Sequence, residues 1–220
     1  MSRISTAGYG NNFLFVSIDD MEIYLVRHTT PDVEKGICYG QSDIDVTDSF
    51  TDEAAIIKNH LPADVVSVYS SPLQRCTKLA AHLFPHHELK LHHHLMEINC
   101  GAWELKRWDD IPKETITPWM EDFINVRIPG GENYIDLYER VNNFFKQVQQ
   151  QPKPSVIFAH GGVIRSILSY ITHTPLEDSF KAFSLHYGCV IKITSGEDGF
   201  QYEVLSNIPH EKETHKPSYL

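Results

Sequence analysis

Glu22-Ile23-Tyr24-Leu25-Val26-Arg27-His28-Thr29-Thr30-Pro31 leads from an apolar segment straight into an Arg-His pair and then a proline. Leu25 and Val26 favour a strand, and Pro31 turns Thr30 away from helical geometry, so the run is predicted to stop close to His28. A fixed cation and an imidazole at the carboxyl end of a strand lie where open α/β sheets place their ligand sites. His28 is therefore expected at a rim rather than in a core.

Two later segments repeat this strand-then-turn design. Val65-Val66-Ser67-Val68-Tyr69-Ser70 is β-branched and ends at Ser71-Pro72. Ser71 is expected to cap a helix over 73–84, with Pro72 in its first position. Ser155-Val156-Ile157-Phe158-Ala159 is a continuous apolar run, as for a strand buried on both faces, and Gly161-Gly162 opens a helical segment over 163–171. Leu137, Tyr138, Val141, Phe144, Phe145 and Val148 recur with helical spacing behind Asn133 and Asp136, which resemble a capping box. The stretches 190–194 and 200–204 read as a hairpin. Alternating strands and helices with a closing hairpin predict a three-layer α/β/α sandwich, its central sheet mostly parallel with an antiparallel edge.

A chain of 220 residues with 41% hydrophobic content can bury one substantial core, and no low-complexity spacer divides it. One domain over 21–209 is expected, with an extension over 1–20 and a loose charged tail over 210–220. Phe13-Leu14-Phe15-Val16 is too short to span a bilayer, so 13–17 is read either as an added edge strand or as the product of a start codon set too far upstream. The formal charge of -10 argues against general nucleic-acid or anionic-membrane binding. Cys38, Cys76, Cys100 and Cys189 form no Cys-x-x-Cys pair, which fits reduced thiols in a cytoplasm. His92-His93-His94 invites a metal reading, but on a strand only His92 and His94 share a face, and no third ligand is evident. Trp103, Trp108 and Trp119 are read as core or pocket-wall residues.

Beside Arg27-His28 stand Ser70-Ser71-Pro72-Leu73-Gln74-Arg75, Met96-Glu97-Ile98-Asn99-Cys100-Gly101-Ala102-Trp103-Glu104 and Ala159-His160-Gly161-Gly162. Together these resemble the histidine phosphatase superfamily, which includes the cofactor-dependent phosphoglycerate mutases. The resemblance spans most of the chain and implies a phosphoglycerate mutase-like sandwich. It also implies phosphomonoester chemistry through a phosphohistidine, with no metal and no cofactor. The partner expected is a small-molecule phosphate monoester; a homodimer is left open.

A phosphate monoester dianion repels nucleophiles, so its charge must first be spread over fixed donors, for which a permanently charged, forked guanidinium is well suited. The resemblance assigns Arg27 and Arg75 to that clamp. His28 is the candidate nucleophile, because a neutral imidazole nitrogen can attack phosphorus and divide one hard displacement into two easier ones. His160 is expected to hydrogen-bond the phosphoryl group without attacking it, and the glycine after it, Gly161, lets backbone approach the ligand. Glu97 is the expected proton carrier, acid toward the leaving alkoxide and then base toward water. Glu104 is read as its support from behind. Tyr39 and Gln41, in the glycine-bearing run Gly36 to Asp43, are candidate substrate contacts.

Within the superfamily, Leu25 to Val33 followed by Cys38-Tyr39-Gly40-Gln41-Ser42-Asp43 is most similar to the α-ribazole phosphatases, where threonine after the Arg-His pair is common. Leu105 stands where glycine is frequent and is expected to reshape the pocket wall. Asn133 stands where serine is usual and should still cap its helix. The alternatives are a broad-specificity phosphatase, a phosphoglycerate mutase, disfavoured by the short stretch between Glu97 and Pro129, and a non-catalytic scaffold that binds phosphorylated partners.

Overall fold

The run around Leu25 forms strand β1 (Glu22–Arg27) near the middle of a six-stranded sheet in the computed structural model, which describes residues 21–151, 154–196, 199–209 and 218. The other strands are β2 (Ser67–Ser70), β3 (Leu89–Leu91), β4 (Ser155–Ala159), β5 (Val190–Gly196) and β6 (Gly199–Ser206). They lie in the order β3-β2-β4-β1-β5-β6. The first four are mutually parallel, and β5 runs antiparallel to both β1 and β6. This is the expected mostly parallel sheet with an antiparallel edge. The extra strand considered over 13–17 lies outside the described residues, as does the tail apart from Ser218.

Alternation along β1 divides the core in two. Ile23 and Leu25 pack on one face with α4 (Tyr134–Val148) and α5 (Gly161–Thr172). Tyr24 and Val26 pack on the other with α1 (Phe50–Lys58) and α2 (Gln74–Leu83). Strand side chains point alternately to opposite faces, so a strand covered on both sides must be apolar throughout. The capping box is present, with Asn133 accepting from the Asp136 N–H and Asp136 from the Asn133 N–H.

Three expectations change. Ser71 does not cap α2: its Oγ accepts only a long bond from the Leu73 N–H (3.4 Å), and the helix begins at Gln74, whose N–H is taken by Asp43 Oδ1 at 2.6 Å. The cap comes from a loop 31 residues upstream, which local pattern cannot reveal. The histidine triplet is not a strand; β3 ends at Leu91 and His93–Leu95 make a 3₁₀ turn. That turn, and not alternation, brings the His92 and His94 rings to 4.9 Å. Leu105 does not shape the pocket wall: it is 59% exposed and adopts φ +62°, a conformation glycine takes without strain.

The segment after Glu97 builds a cap of its own. Two 3₁₀ turns and α3 (Lys113–Glu121) enclose a third apolar cluster around Trp103, Trp108, Ile111 and Ile116. A short helix, α6 (Ser179–Ala182), completes the set and brings Phe180 to the aromatic ring of Phe123. All four cysteines are buried, and no disulfide joins them. Among the described residues, no helix is long and apolar enough to cross a membrane.

Candidate active site

The parallel pairing of β1 with β4 brings two sequence-distant motifs side by side. Arg27 pairs with Ala159, and the His28 N–H donates to the Ala159 carbonyl at 3.1 Å, so His28 and His160 leave the sheet together. Their ring centroids are 5.1 Å apart. His28 lies at the strand end as expected, yet it is only 2% exposed, because Tyr187 covers it at 5.5 Å between ring centroids. His28 Nδ1 lies 2.7 Å from the Thr29 carbonyl oxygen. A carbonyl can only accept, so Nδ1 carries a proton, and in the neutral ring the lone pair lies on Nε2.

His160 is fully buried, with Nε2 2.8 Å from Ser71 Oγ and 3.6 Å from Cys76 Sγ. Burial drives its pKa well below the usual histidine value, and the Arg75 and Arg27 cations, with His28 whenever that ring is protonated, push the same way. It is neutral near pH 7. Burial likewise pushes the Cys76 thiol up to about 12, so this sulfur is no nucleophile.

The two arginines are held by backbone oxygens. Arg27 Nη1 donates to the Leu185 carbonyl (2.7 Å), and its guanidinium lies 4.2 Å from the centre of the Tyr187 ring. Arg75, in the first turn of α2 and completely buried, donates to the carbonyls of Gly40 (2.7 Å) and Ser42 (2.9 Å). That loop is in turn gathered by Glu104, whose carboxylate accepts from the N–H groups of Gly40, Gln41, Ser42 and Cys100 and from the Ser42 hydroxyl. Burial alone would raise the Glu104 pKa, but these hydrogen bonds outweigh it and the net shift is downward. Glu104 thus supports the loop that anchors Arg75, and not Glu97 directly.

Glu97 reaches the same cleft from an irregular segment. Its Oε2 accepts from the Gly162 N–H at the start of α5, and its Oε1 from the Ile98 N–H, both at 2.9 Å. The two glycines therefore make room for protein groups: a Cβ on Gly162 would sit 2.3 Å from Glu97 Oε1, and one on Gly161 would press on the Arg27 guanidinium at 3.4 Å. Arg27, His28, Arg75, Glu97 and His160 line one cleft, joined by Gly161 and Tyr39. Gln41 does not line it; its side-chain amide donates to the Glu97 carbonyl at 3.0 Å. Tyr39 shares a 2.8 Å hydrogen bond with Tyr187.

Beyond this polar end the cleft runs between the cap and α5, walled by Trp108, Trp119, Phe123 and Phe180, with Arg165 at its side. The Arg165 guanidinium lies 4.0 Å from the centre of the Phe180 ring. Arg140, Arg165 and Tyr187 carry no signal in the sequence, and Ser71 is legible there only as a helix cap. Gly188, at φ +68° just before β5, is the one local signal that a turn would bring Tyr187 back to the nucleophile end.

A family model described as the histidine phosphatase superfamily (branch 1) matches residues 23–208. A Hydrogenobacter thermophilus protein provisionally named phosphoserine phosphatase 2 is 29% identical over 164 residues, covering 71% of this chain and 81% of its own. A 6-phosphofructo-2-kinase/fructose-2,6-bisphosphatase of Arabidopsis thaliana is 25% identical over 154 residues, which are 67% of this chain and 20% of that protein. The crystal structure of the α-ribazole phosphatase from Shigella flexneri superposes with a TM-score of 0.76 at 21% identity, covering 87% of this chain and all of the other.

Proposed function

This chain belongs to the histidine phosphatase superfamily and is a phosphatase; from that premise we propose that it hydrolyses phosphate monoesters through a phosphohistidine formed on His28. The observation that carries the reading is the meeting of five groups in one cleft: an imidazole with its lone pair on Nε2, a neutral histidine beside it, two fixed cations and a carboxylate.

Arg27 and Arg75 take the phosphoryl oxygens and withdraw the charge that would repel a nucleophile. His28 Nε2 gives its electron pair to phosphorus as the P–O ester bond breaks. The pair from that bond goes to the leaving oxygen, which takes a proton from Glu97. Water then attacks the phosphohistidine, the P–N bond breaks back to His28, and Glu97 recovers a proton from the water. The sum is ester plus water to alcohol plus phosphate. His160, kept neutral by burial, supplies a hydrogen bond without competing for the phosphoryl group.

For the leaving alcohol we propose α-ribazole, released from α-ribazole 5′-phosphate or from the corresponding late cobalamin phosphate. The threonine after Arg27-His28, the Cys38 to Asp43 string and the aromatic walls of the far end support this choice, since flat rings favour a flat heteroaromatic group. One observation favours a second reading. Arg165 places a cation at the leaving-group end, which suits an alcohol bearing a carboxylate, such as phosphoglycerate or phosphoserine. Catalytic efficiencies on α-ribazole 5′-phosphate, 3-phosphoglycerate, phosphoserine and an aryl phosphate separate the two readings. A preference for 3-phosphoglycerate with mutase turnover would overturn the cobalamin assignment. His28→Ala abolishes turnover on every ester, and surviving activity would remove His28 as nucleophile.

A further inference from the structure

We infer that Arg140 is a positioning residue that holds Glu97 in the pose from which it transfers protons; the inference rests on the reading of Glu97 as proton carrier. The segment that carries Glu97 has no helix or strand of its own between the 3₁₀ turn at His93–Leu95 and the one at Gly101–Trp103. Its carbonyls must find partners elsewhere, because an unpaired buried backbone group costs about as much as a lost hydrogen bond.

Arg140, on the rigid and well-capped α4, provides them. Its Nη1 donates to the carbonyls of His94 and Met96, both at 2.8 Å, and its Nη2 to the Glu97 carbonyl at 2.9 Å. Its remaining donors form a forked pair with Glu132, from Nε at 2.8 Å and from Nη2 at 2.9 Å. A guanidinium has five N–H donors, and here each has an acceptor. Glu132 in turn accepts from the Asn99 N–H at 2.9 Å, so the segment is held on both sides of Glu97. The pair is largely buried, with side chains 15% and 18% exposed. Arg140 does not line the cleft; it touches the chemistry through the backbone of Glu97, and its charge adds slightly to what keeps His160 neutral. A lysine could not replace it, since an ammonium offers three donors from one point and no fork.

Leaving-group dependence tests this role. A dinitrophenolate leaves without protonation, whereas a glycerol alkoxide needs the acid. Single-turnover alcohol release is measured from glycerol phosphate and from dinitrophenyl phosphate for wild type, Glu97→Gln, Arg140→Gln, Arg140→Lys and Glu132→Gln. General acid catalysis is worth roughly 10²–10⁴-fold, so Glu97→Gln loses about 10²-fold or more on glycerol phosphate and far less on the aryl ester. Both Arg140 variants show the same selective loss, about 10-fold or more, in the saturating single-turnover rate with little change in the half-saturating concentration. Glu132→Gln keeps the arginine and shows a smaller loss of the same kind, and it carries the test if Arg140→Gln does not fold. Wild-type rates on glycerol phosphate in Arg140→Lys and Glu132→Gln overturn the inference. So does an equal loss on both esters, which marks a general structural role. If Glu97→Gln itself lacks leaving-group dependence, the proton-carrier reading fails and the inference falls with it.

Discussion

Replacing Glu104 by glutamine tests whether the arginine clamp depends on a carboxylate that never touches substrate. Oε1 of Glu104 accepts from the N–H groups of Gln41 (2.8 Å) and Cys100 (3.0 Å). Oε2 accepts from the N–H groups of Gly40 (3.0 Å) and Ser42 (3.1 Å) and from the Ser42 hydroxyl (2.6 Å). An amide keeps one of these oxygens and sets an NH₂ against the donors that faced the other, so at least two bonds are lost. Each hydrogen bond to a charged acceptor contributes roughly 1.5–3 kcal/mol. Glu104 is half-buried, so water replaces part of this, and the net cost is about 3 kcal/mol. In a chain of this size each kcal/mol moves the midpoint by roughly 2–4 °C, giving a fall of about 6–12 °C. The carbonyls of Gly40 and Ser42 that anchor Arg75 loosen with the loop, so KM for phosphate esters rises. The effect has a pH signature: the folded-state pKa of Glu104 is depressed, so its stabilisation is complete above the unfolded value of about 4.3 and is lost as pH falls through the folded value. The gap between wild type and Glu104→Gln therefore closes in acid. Calorimetry with steady-state kinetics checks this, and a variant melting within about 1 °C of wild type with unchanged KM refutes it.

Gly162→Ala puts a methyl group where Glu97 Oε1 lies and 2.9 Å from Leu137 Cδ2, so the carboxylate must leave its seat and kcat drops about 10²-fold; an unchanged kcat shows that Glu97 is not needed there. Leu105→Gly relieves a left-handed φ at a cost of some unfolded-state entropy, for a net gain of roughly 0.5–1 kcal/mol and a midpoint raised by about 1–4 °C; a lowered midpoint in calorimetry contradicts this. Because the folded-state pKa of His160 is depressed, its contribution is intact above the unfolded value of about 6.5, and below it stability falls by up to about 1.4 kcal/mol per pH unit. Denaturant titrations from neutral pH down to about pH 5 should show that slope and show it reduced in His160→Gln.

What could be read from sequence was whatever is local. Arg27-His28 and His160-Gly161-Gly162 announce themselves because an apolar run stops at each, and the α4 cap is written in Asn133 and Asp136. What could not be read depends on partners far along the chain. Asp43 caps α2 across 31 residues, Arg140 reaches back 46 residues to His94, and Glu104 gathers a loop 62 to 64 residues away. The helices α1, α3 and α6 are illegible in the sequence for a different reason. Each is short, with one or two buried side chains, so its sequence carries little periodicity. The neighbours of Gln41 in sequence point it to the ligand, and the fold gives its amide a partner in the Glu97 carbonyl.

The spacing of the two site histidines starts from the main chain. His28 and His160 are the next residues after a matched pair on adjacent parallel strands, and parallel neighbours lie about 4.8 Å apart by the length of a peptide hydrogen bond. The 5.1 Å between their rings is close to that interval. The backbone ladder thus starts the two residues from adjacent strands, and the contacts of His28 with Thr29 and of His160 with Ser71 set how the rings turn from there. Substitutions elsewhere can alter walls, cap and leaving-group specificity without resetting that interval. A superposable structure that shares only 21% of its residues with this chain has the same fold, and the strand pairing that starts the two histidines side by side here asks little of most side chains.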